Sequence, residues 1–172
     1  MATLHVLCGL PGSGKSTFAK RLVRDRSAIR FANDDWMRNL YGRNPSEVEF
    51  REAFARIEVL QWRLGAELLR RGIDVVWDYG VWTRSDRAEL HRRCSVTGAE
   101  FVLYEIVCDF ETAMNRVLKR SSLDDSHLAI DRSAMEVFRR RFEVPSQDEG
   151  FEVIIIQGEP GDTDNPDDAQ RI

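Results

Sequence analysis

The sequence predicts an α/β fold: a parallel five-stranded sheet between two layers of helices, the three-layer αβα sandwich. Three observations predict it. Short apolar runs of strand length alternate along the chain with longer runs of helical period. A glycine-rich turn, Gly9-Leu10-Pro11-Gly12-Ser13-Gly14-Lys15-Ser16-Thr17, separates the first strand from the first helix. Aspartates close the second and third strands, at the sheet edge where ligands of such folds bind.

Thr3 to Cys8 is an apolar run that reads as strand one, and the helix after the turn is expected to reach about Arg26. Ile29-Arg30-Phe31-Ala32 forms a short second strand ending at Asn33-Asp34-Asp35. A long helix is expected from about Ser46 to Arg71, its face set by Val48, Phe50, Phe54, Ile57, Leu60, Leu64 and Leu68. Ser46 with Glu49 makes a capping box at its start, and Gly72 a stop at its end. Ile73 to Trp77 is strand three, closed by Asp78, and a helix over about Ser85 to Val96 follows. Phe101 to Val107 is strand four, and a helix from about Phe110 to Arg120 comes next. Ser121 to Ser126 lacks an apolar period and reads as a mobile loop. A helix over about Asp131 to Phe142 and a last strand over Phe151 to Ile156 complete the pattern. One domain over residues 1–157 is expected, with a lid at about 116–133 and an acidic, disordered tail over 158–172.

Of the 172 residues, 42% are hydrophobic and 31% charged, with a net charge of −4, the balance of an ordinary water-soluble domain. No apolar run approaches the roughly 20 residues that span a bilayer. The strand and glycine-rich turn begin at once, leaving no room for a signal peptide. Cys8, Cys94 and Cys108 lack metal-ligand spacing, and Cys8 and Cys108 lie at strand ends, so they read as buried thiols of a cytoplasmic protein. The acidity argues against an electrostatic nucleic-acid binder. There are 22 arginines and three lysines, so Lys15 stands out. His5 reads as a core residue and His91 as helix surface, neither with metal partners.

The glycine-rich run fits G-x-x-x-x-G-K-[ST] without a gap and has the strand before and the helix after that the pattern requires. Gly9, Gly12 and Gly14 let backbone N–H groups turn inward around phosphate oxygens, and the helix N-terminus adds unsatisfied donors. Gly9, Pro11, Gly12, Ser13, Gly14, Lys15, Ser16 and Thr17 are therefore the expected nucleotide-binding residues. Lys15 is expected to reach the β- and γ-phosphates, and the Ser16 hydroxyl to ligate Mg²⁺. Val75-Val76-Trp77-Asp78 is an apolar strand closed by an acid, the Walker B form, which places Asp78 on the metal side as well.

A phosphoryl-transfer site also needs a carboxylate for the attacking hydroxyl. Asp34 is the expected base and Asp35 the alternative; capping the helix that begins near Trp36 is the other use of Asp34. Arg38, four residues after Asp34, either binds the acceptor or forms a surface ion pair. Arg116 and Arg120 lie four apart on one helix face before the mobile loop, placed to close over a nucleotide and neutralise charge on the transferred group. Tyr79 and Trp82 flank Asp78 and are candidate walls of an acceptor pocket.

Together the loop, Asn33-Asp34-Asp35 with Arg38, the Asp78 strand end and Arg116/Arg120 resemble the 5′-kinase domains of polynucleotide kinases. They also resemble the small kinases related to chloramphenicol phosphotransferase and zeta toxins. The segment Trp77-Asp78-Tyr79-Gly80-Val81-Trp82-Thr83-Arg84-Ser85-Asp86-Arg87 is especially similar to the uncharacterised ATP-binding proteins of that set. The resemblance runs to about Ile156 and implies a P-loop kinase fold and ATP- and Mg²⁺-dependent transfer to a hydroxyl, with Asp34 matching the catalytic aspartate. In the polynucleotide kinases the arginine after the paired aspartates lies one residue nearer than Arg38 does here. The leading expectation is a kinase acting on a small-molecule acceptor. A 5′-hydroxyl polynucleotide or RNA kinase and a nucleotide-driven switch ATPase without an acceptor are the alternatives.

Overall fold

The computed structural model describes residues 1–41, 47–123 and 130–158, with the backbone alone at 47 and 121–123. Five strands form one sheet: β1 (Thr3–Cys8), β2 (Ile29–Phe31), β3 (Val75–Trp77), β4 (Glu100–Val107) and β5 (Glu152–Gln157). Their order across the sheet is β2-β3-β1-β4-β5, and every pairing is parallel. Parallel strands need crossovers, and the helices supply them: α1 (Lys15–Arg26), α2 (Asn33–Tyr41), α3 (Glu47–Arg70), α4 (Arg84–Ser95), α5 (Phe110–Leu123) and α6 (Arg132–Arg141). Because both faces are covered, β1 and β4 read as near-continuous apolar runs rather than alternating ones.

The two faces build separate cores. On one, Ala19 and Leu22 of α1 pack with Leu7, Val76, Val102 and Ile106. On the other, Leu69 of α3 and Leu90 and Cys94 of α4 pack with Leu4, Val6, Val75, Trp77 and Leu103. Side chains alternate along a strand. Trp77 and Tyr79 therefore face α3 and α4, and Asp78 between them takes the α1 side, where the glycine-rich loop lies. His5 is a core residue, as expected, its ring Nδ1 3.1 Å from the Tyr104 hydroxyl. His91 is half-buried against Phe101 and Phe151 rather than on the surface.

Three expectations need correction. Residues 121–123 continue α5 as helix instead of starting a loop, while 124–129 lie outside the described residues. Along α3, Val48, Leu60 and Leu64 are exposed, whereas Ala53, Ile57 and the polar Gln61 are buried. Finally, α2 begins at Asn33, so Asp34 lies inside its first turn and does not cap a helix that starts near Trp36. The predicted cap Ser46 and almost all of the acidic tail lie outside the described residues. Among the described residues no helix is long and apolar enough to cross a membrane.

A candidate phosphoryl-transfer site

Between β1 and α1 the loop is held close to its neighbours by two glycines. Gly9 has φ +145°, and a Cβ there would stand 2.6 Å from the Ile106 carbonyl of β4. Gly12 has φ +79°, and its Cβ would overlap the Ala113 carbonyl and the Val117 side chain of α5. Both positions combine left-handed backbone with close approach, which only glycine allows. The Ser13 N–H donates to the Leu10 carbonyl at 3.1 Å, closing the turn, and the Ser13 hydroxyl is buried without a partner among the described residues. Pro11 and Thr17 are half-buried and Ser16 is exposed, with Ser16 and Thr17 in the first turn of α1. Lys15 folds back over the loop and donates from Nζ to the carbonyls of Gly9 at 3.0 Å and Leu10 at 2.8 Å. Burial lowers the pKa of this amine; the charges of Asp78 and Asp34 oppose the shift and that of Arg120 adds to it.

The carboxylates beside Lys15 are not equivalent. Asp78 is buried, and Arg30 of β2 reaches its Oδ2 from Nε at 2.7 Å and from Nη2 at 2.5 Å. The same guanidinium donates from Nη1 to Asp35 Oδ2 at 3.0 Å, and Arg38 Nη2 meets Asp35 Oδ1 at 2.9 Å. Asp78, Arg30, Asp35 and Arg38 thus form a chain of alternating charge that ties β3 to β2 and α2. Asp34 has no hydrogen bond among the described residues. The residue is exposed overall, yet the protein packed around its carboxyl group withdraws water from it and pushes its pKa up. Lys15 and Arg120 oppose that rise, while Asp78 and Asp35 add to it. Arg38, expected either to bind the acceptor or to form an ion pair, pairs with Asp35.

From the other side comes α5, whose Ala113, Arg116, Val117 and Arg120 share one face at helical spacing. With no side chain on Gly12, this face lies directly on the loop. Arg116 Nη1 donates to the Gly12 carbonyl at 3.3 Å and to Cys108 Sγ at 3.7 Å. The Arg120 Nε is buried and has no hydrogen-bond partner among the described residues. Lys15, Asp34, Asp78 and Arg120 are therefore brought together, with Arg116 locked onto the loop. Tyr79 and Trp82 are not at this centre. Tyr79 faces α3 and α4, and Trp82 stacks on Phe138 of α6 with ring centroids 4.5 Å apart.

Among the described residues no cluster of three or more His, Cys, Asp or Glu side chains could hold a metal alone. A Mg²⁺ bound to a nucleotide does not need one: one or two protein oxygens, waters and phosphates suffice. Asp78 fits that role, since both Arg30 contacts fall on Oδ2 and leave Oδ1 free of that guanidinium. Ser16 at the exposed head of α1 would supply a second oxygen.

Sequence reasoning passed over Arg30. A signal was present: a charged side chain in the middle of a short strand of a covered parallel sheet must find a partner there. Arg87, fully buried on α4, carried no such signal. It donates to Glu149 from Nε at 2.7 Å and Nη2 at 2.6 Å, fixing the chain ahead of β5.

Comparison with solved structures returns the same architecture. A protein of Chloroflexus aurantiacus with a provisional kinase designation aligns over 91% of this chain and 88% of its own, with a TM-score of 0.73 and 16% identity. Kti12 of Chaetomium thermophilum, solved with ADP-AlF3, aligns over 90% of this chain and 88% of its own, with a TM-score of 0.67 and 20% identity. A chain of the Pnkp1/Rnl/Hen1 RNA repair complex aligns over 81% of this chain but 43% of its own, with a TM-score of 0.67 and 23% identity. At these identities the likeness is one of fold. No curated protein matches the sequence. A family model does: the AAA domain model AAA_33 matches residues 4–145, and with its P-loop kinase fold the chain belongs to that family.

Proposed function

We propose that the protein is an ATP-dependent phosphotransferase that moves the γ-phosphoryl group to a hydroxyl of a small-molecule acceptor. One observation carries this reading: of two adjacent aspartates, Asp35 is spent on Arg30 and Arg38, while Asp34 is left unpaired in the cluster with Lys15, Asp78 and Arg120.

The chemistry follows from these positions. The loop N–H groups and Lys15 hold the β- and γ-phosphates, so Lys15 exchanges its two carbonyl contacts for phosphate oxygens. Mg²⁺, held through Asp78 and Ser16, would neutralise charge on the bound phosphates. The acceptor oxygen attacks the γ-phosphorus, its proton passes to the Asp34 carboxylate, and the bond from the γ-phosphorus to the β,γ-bridging oxygen breaks to release ADP. A positioned base of this kind contributes about 10²–10⁴-fold. Arg120 supplies charge to the transferred group, and Arg116 holds the loop against α5. Such arginines contribute about 10³–10⁵-fold in phosphoryl transfer.

The test is incubation with labelled ATP and a metabolite extract, followed by mass spectrometry of new phosphoesters. A new phosphoester that is lost in Asp34→Asn but retained in Asp35→Asn supports the reading. Steady ATP hydrolysis with no acceptor labelled overturns it, as does labelling of an RNA or DNA 5′-hydroxyl oligomer in preference to any metabolite.

A further inference from the structure

Two amides stand where the packing is otherwise apolar. Asn33, the first residue of α2, and Gln61, in the body of α3, are both fully buried. Neither the oxygen nor the nitrogen of either side chain has a hydrogen-bond partner among the described residues. A buried polar atom left unmet is costly, and native interiors rarely keep four of them.

Their places in the fold bring the two amides to the same level. Ala53, Ile57, Gln61 and Gly65 recur at four-residue spacing and so form one stripe along α3. On one side of Gln61, Ala53 and Ile57 share a buried cluster with Met37 of α2. On the other side, at Gly65, a Cβ would stand 3.5 Å from the Phe31 ring of β2 and 3.7 Å from Trp77. Gln61 is therefore bracketed by the contacts to Phe31 and to Met37. Between those two residues in the chain lies Asn33, four before Met37 and on the same inner face of α2. Phe31, Met37, Ile57 and Trp77 offer these amides no polar group of their own side chains. An internal water, which typically makes about three hydrogen bonds to such groups, satisfies both at once.

The same turn of α2 has a second side. Asp34 follows Asn33 directly, and its carboxyl group feels the charges of Lys15, Asp78, Asp35 and Arg120. Whatever fixes Asn33 against α3 therefore also fixes where Asp34 stands. Arg30 and Arg38 tether α2 as well, but through Asp35.

We propose that Asn33 and Gln61 close on one shared internal water, and that this link holds the first turn of α2 and so positions the Asp34 carboxylate. The value of that position for catalysis rests on the phosphotransferase reading; the link and its hold on Asp34 do not. The test uses the full-length protein without nucleotide and three variants close to it in volume: Asn33→Leu, Gln61→Met and the two combined. Each single variant melts at least about 3 °C below the wild type, because it strands the other amide. The double variant removes both amides and recovers most of that loss. Followed by carbon-13 NMR, the Asp34 carboxyl titrates nearer the ordinary aspartate range in all three variants, because a loosened turn lets water reach it. A fluorescent ATP analogue binds each of them as tightly as the wild type. Additive losses, or a single variant at least as stable as the wild type, overturn the link. An Asp34 titration unmoved in the double variant overturns the positioning role. Loss of analogue binding places the disturbance at the glycine-rich loop instead of α2 and overturns it too. If every expected result is obtained and no acceptor gains phosphate from labelled ATP, the link stands and the phosphotransferase reading fails.

Discussion

Replacing Arg30 with methionine should destabilise the protein substantially, although Arg30 is not itself a buried core residue. The Asp78 side chain is 2% exposed and Arg30 22%, so this is an ion pair largely out of water, with two contacts on one carboxylate oxygen at 2.7 and 2.5 Å. Methionine keeps most of the stem and removes the charge, leaving Asp78 buried without its partner. Breaking such a pair costs about 3–5 kcal/mol. Lys15 feels the same carboxylate and offsets part of this, which favours the lower end, about 3 kcal/mol. The Asp35 contact adds little, because that side chain is 38% exposed and keeps Arg38. For a domain of this size a loss of about 3 kcal/mol lowers Tm by about 6–12 °C. Calorimetric melts without nucleotide measure it. Arg30→Lys, with one charge and a single contact, should recover about half of the loss. A double-mutant cycle of Arg30→Met with Asp78→Asn should give a coupling of at least about 2 kcal/mol. A fall in Tm under about 2 °C, or additive effects in the cycle, would refute the view that Arg30 holds the Asp78 carboxylate in place.

Further expectations can be checked on the same preparations. The phosphoryl-transfer rate should rise with pH through a limb above the ordinary aspartate range, since burial raises the Asp34 pKa and the base works only when ionised. Asp34→Asn should remove the limb and about 10²–10⁴ of the rate, and a limb that survives the substitution would show another group is titrating. Gly12→Ala should abolish binding of a fluorescent ATP analogue, because the new Cβ overlaps the Ala113 carbonyl and the φ of +79° is left-handed; wild-type affinity in the titration would contradict the docking of α5 on the loop. Stability should rise with pH between about 5.5 and 7, because burial lowers the His5 pKa below its ordinary value and the unfolded chain then binds more protons. Urea midpoints at the two ends of that range measure the slope, which His5→Gln should flatten; the same slope in the variant would assign it elsewhere.

The sheet was legible because its signals are local. Apolar runs bounded by turn residues located every strand to within two residues, and the glycine-rich run located the join of β1 and α1 from spacing alone. The buried face of α3 was not legible. Its 24 residues carry apolar side chains on several sides, so the period does not select the stripe that packs. Tertiary contact made that selection: at Gly65 the helix lies on Phe31 and Trp77, with Gln61 turned inward and Leu60 and Leu64 left outside. The end of the α5 helix failed for a related reason, since Ser121 and Ser122 carry no apolar period even though the helix continues through them.

For the site, sequence gave the types of residue and their strand ends but not the pairing among them. Asp34 and Asp35 are chemically identical neighbours, and no pattern distinguishes them. Their difference is made across the sheet. Arg30 projects from β2 to the carboxylate that closes β3, and the arm of its guanidinium left over from Asp78 takes Asp35. Arg38, one turn along α2, completes the pairing of Asp35. A single strand arginine thus distinguishes the two aspartates. It leaves Asp34, of the two, without an ion pair among the described residues. On the proposed reading the choice between the two aspartates therefore rests on Arg30, and a substitution there should disturb it.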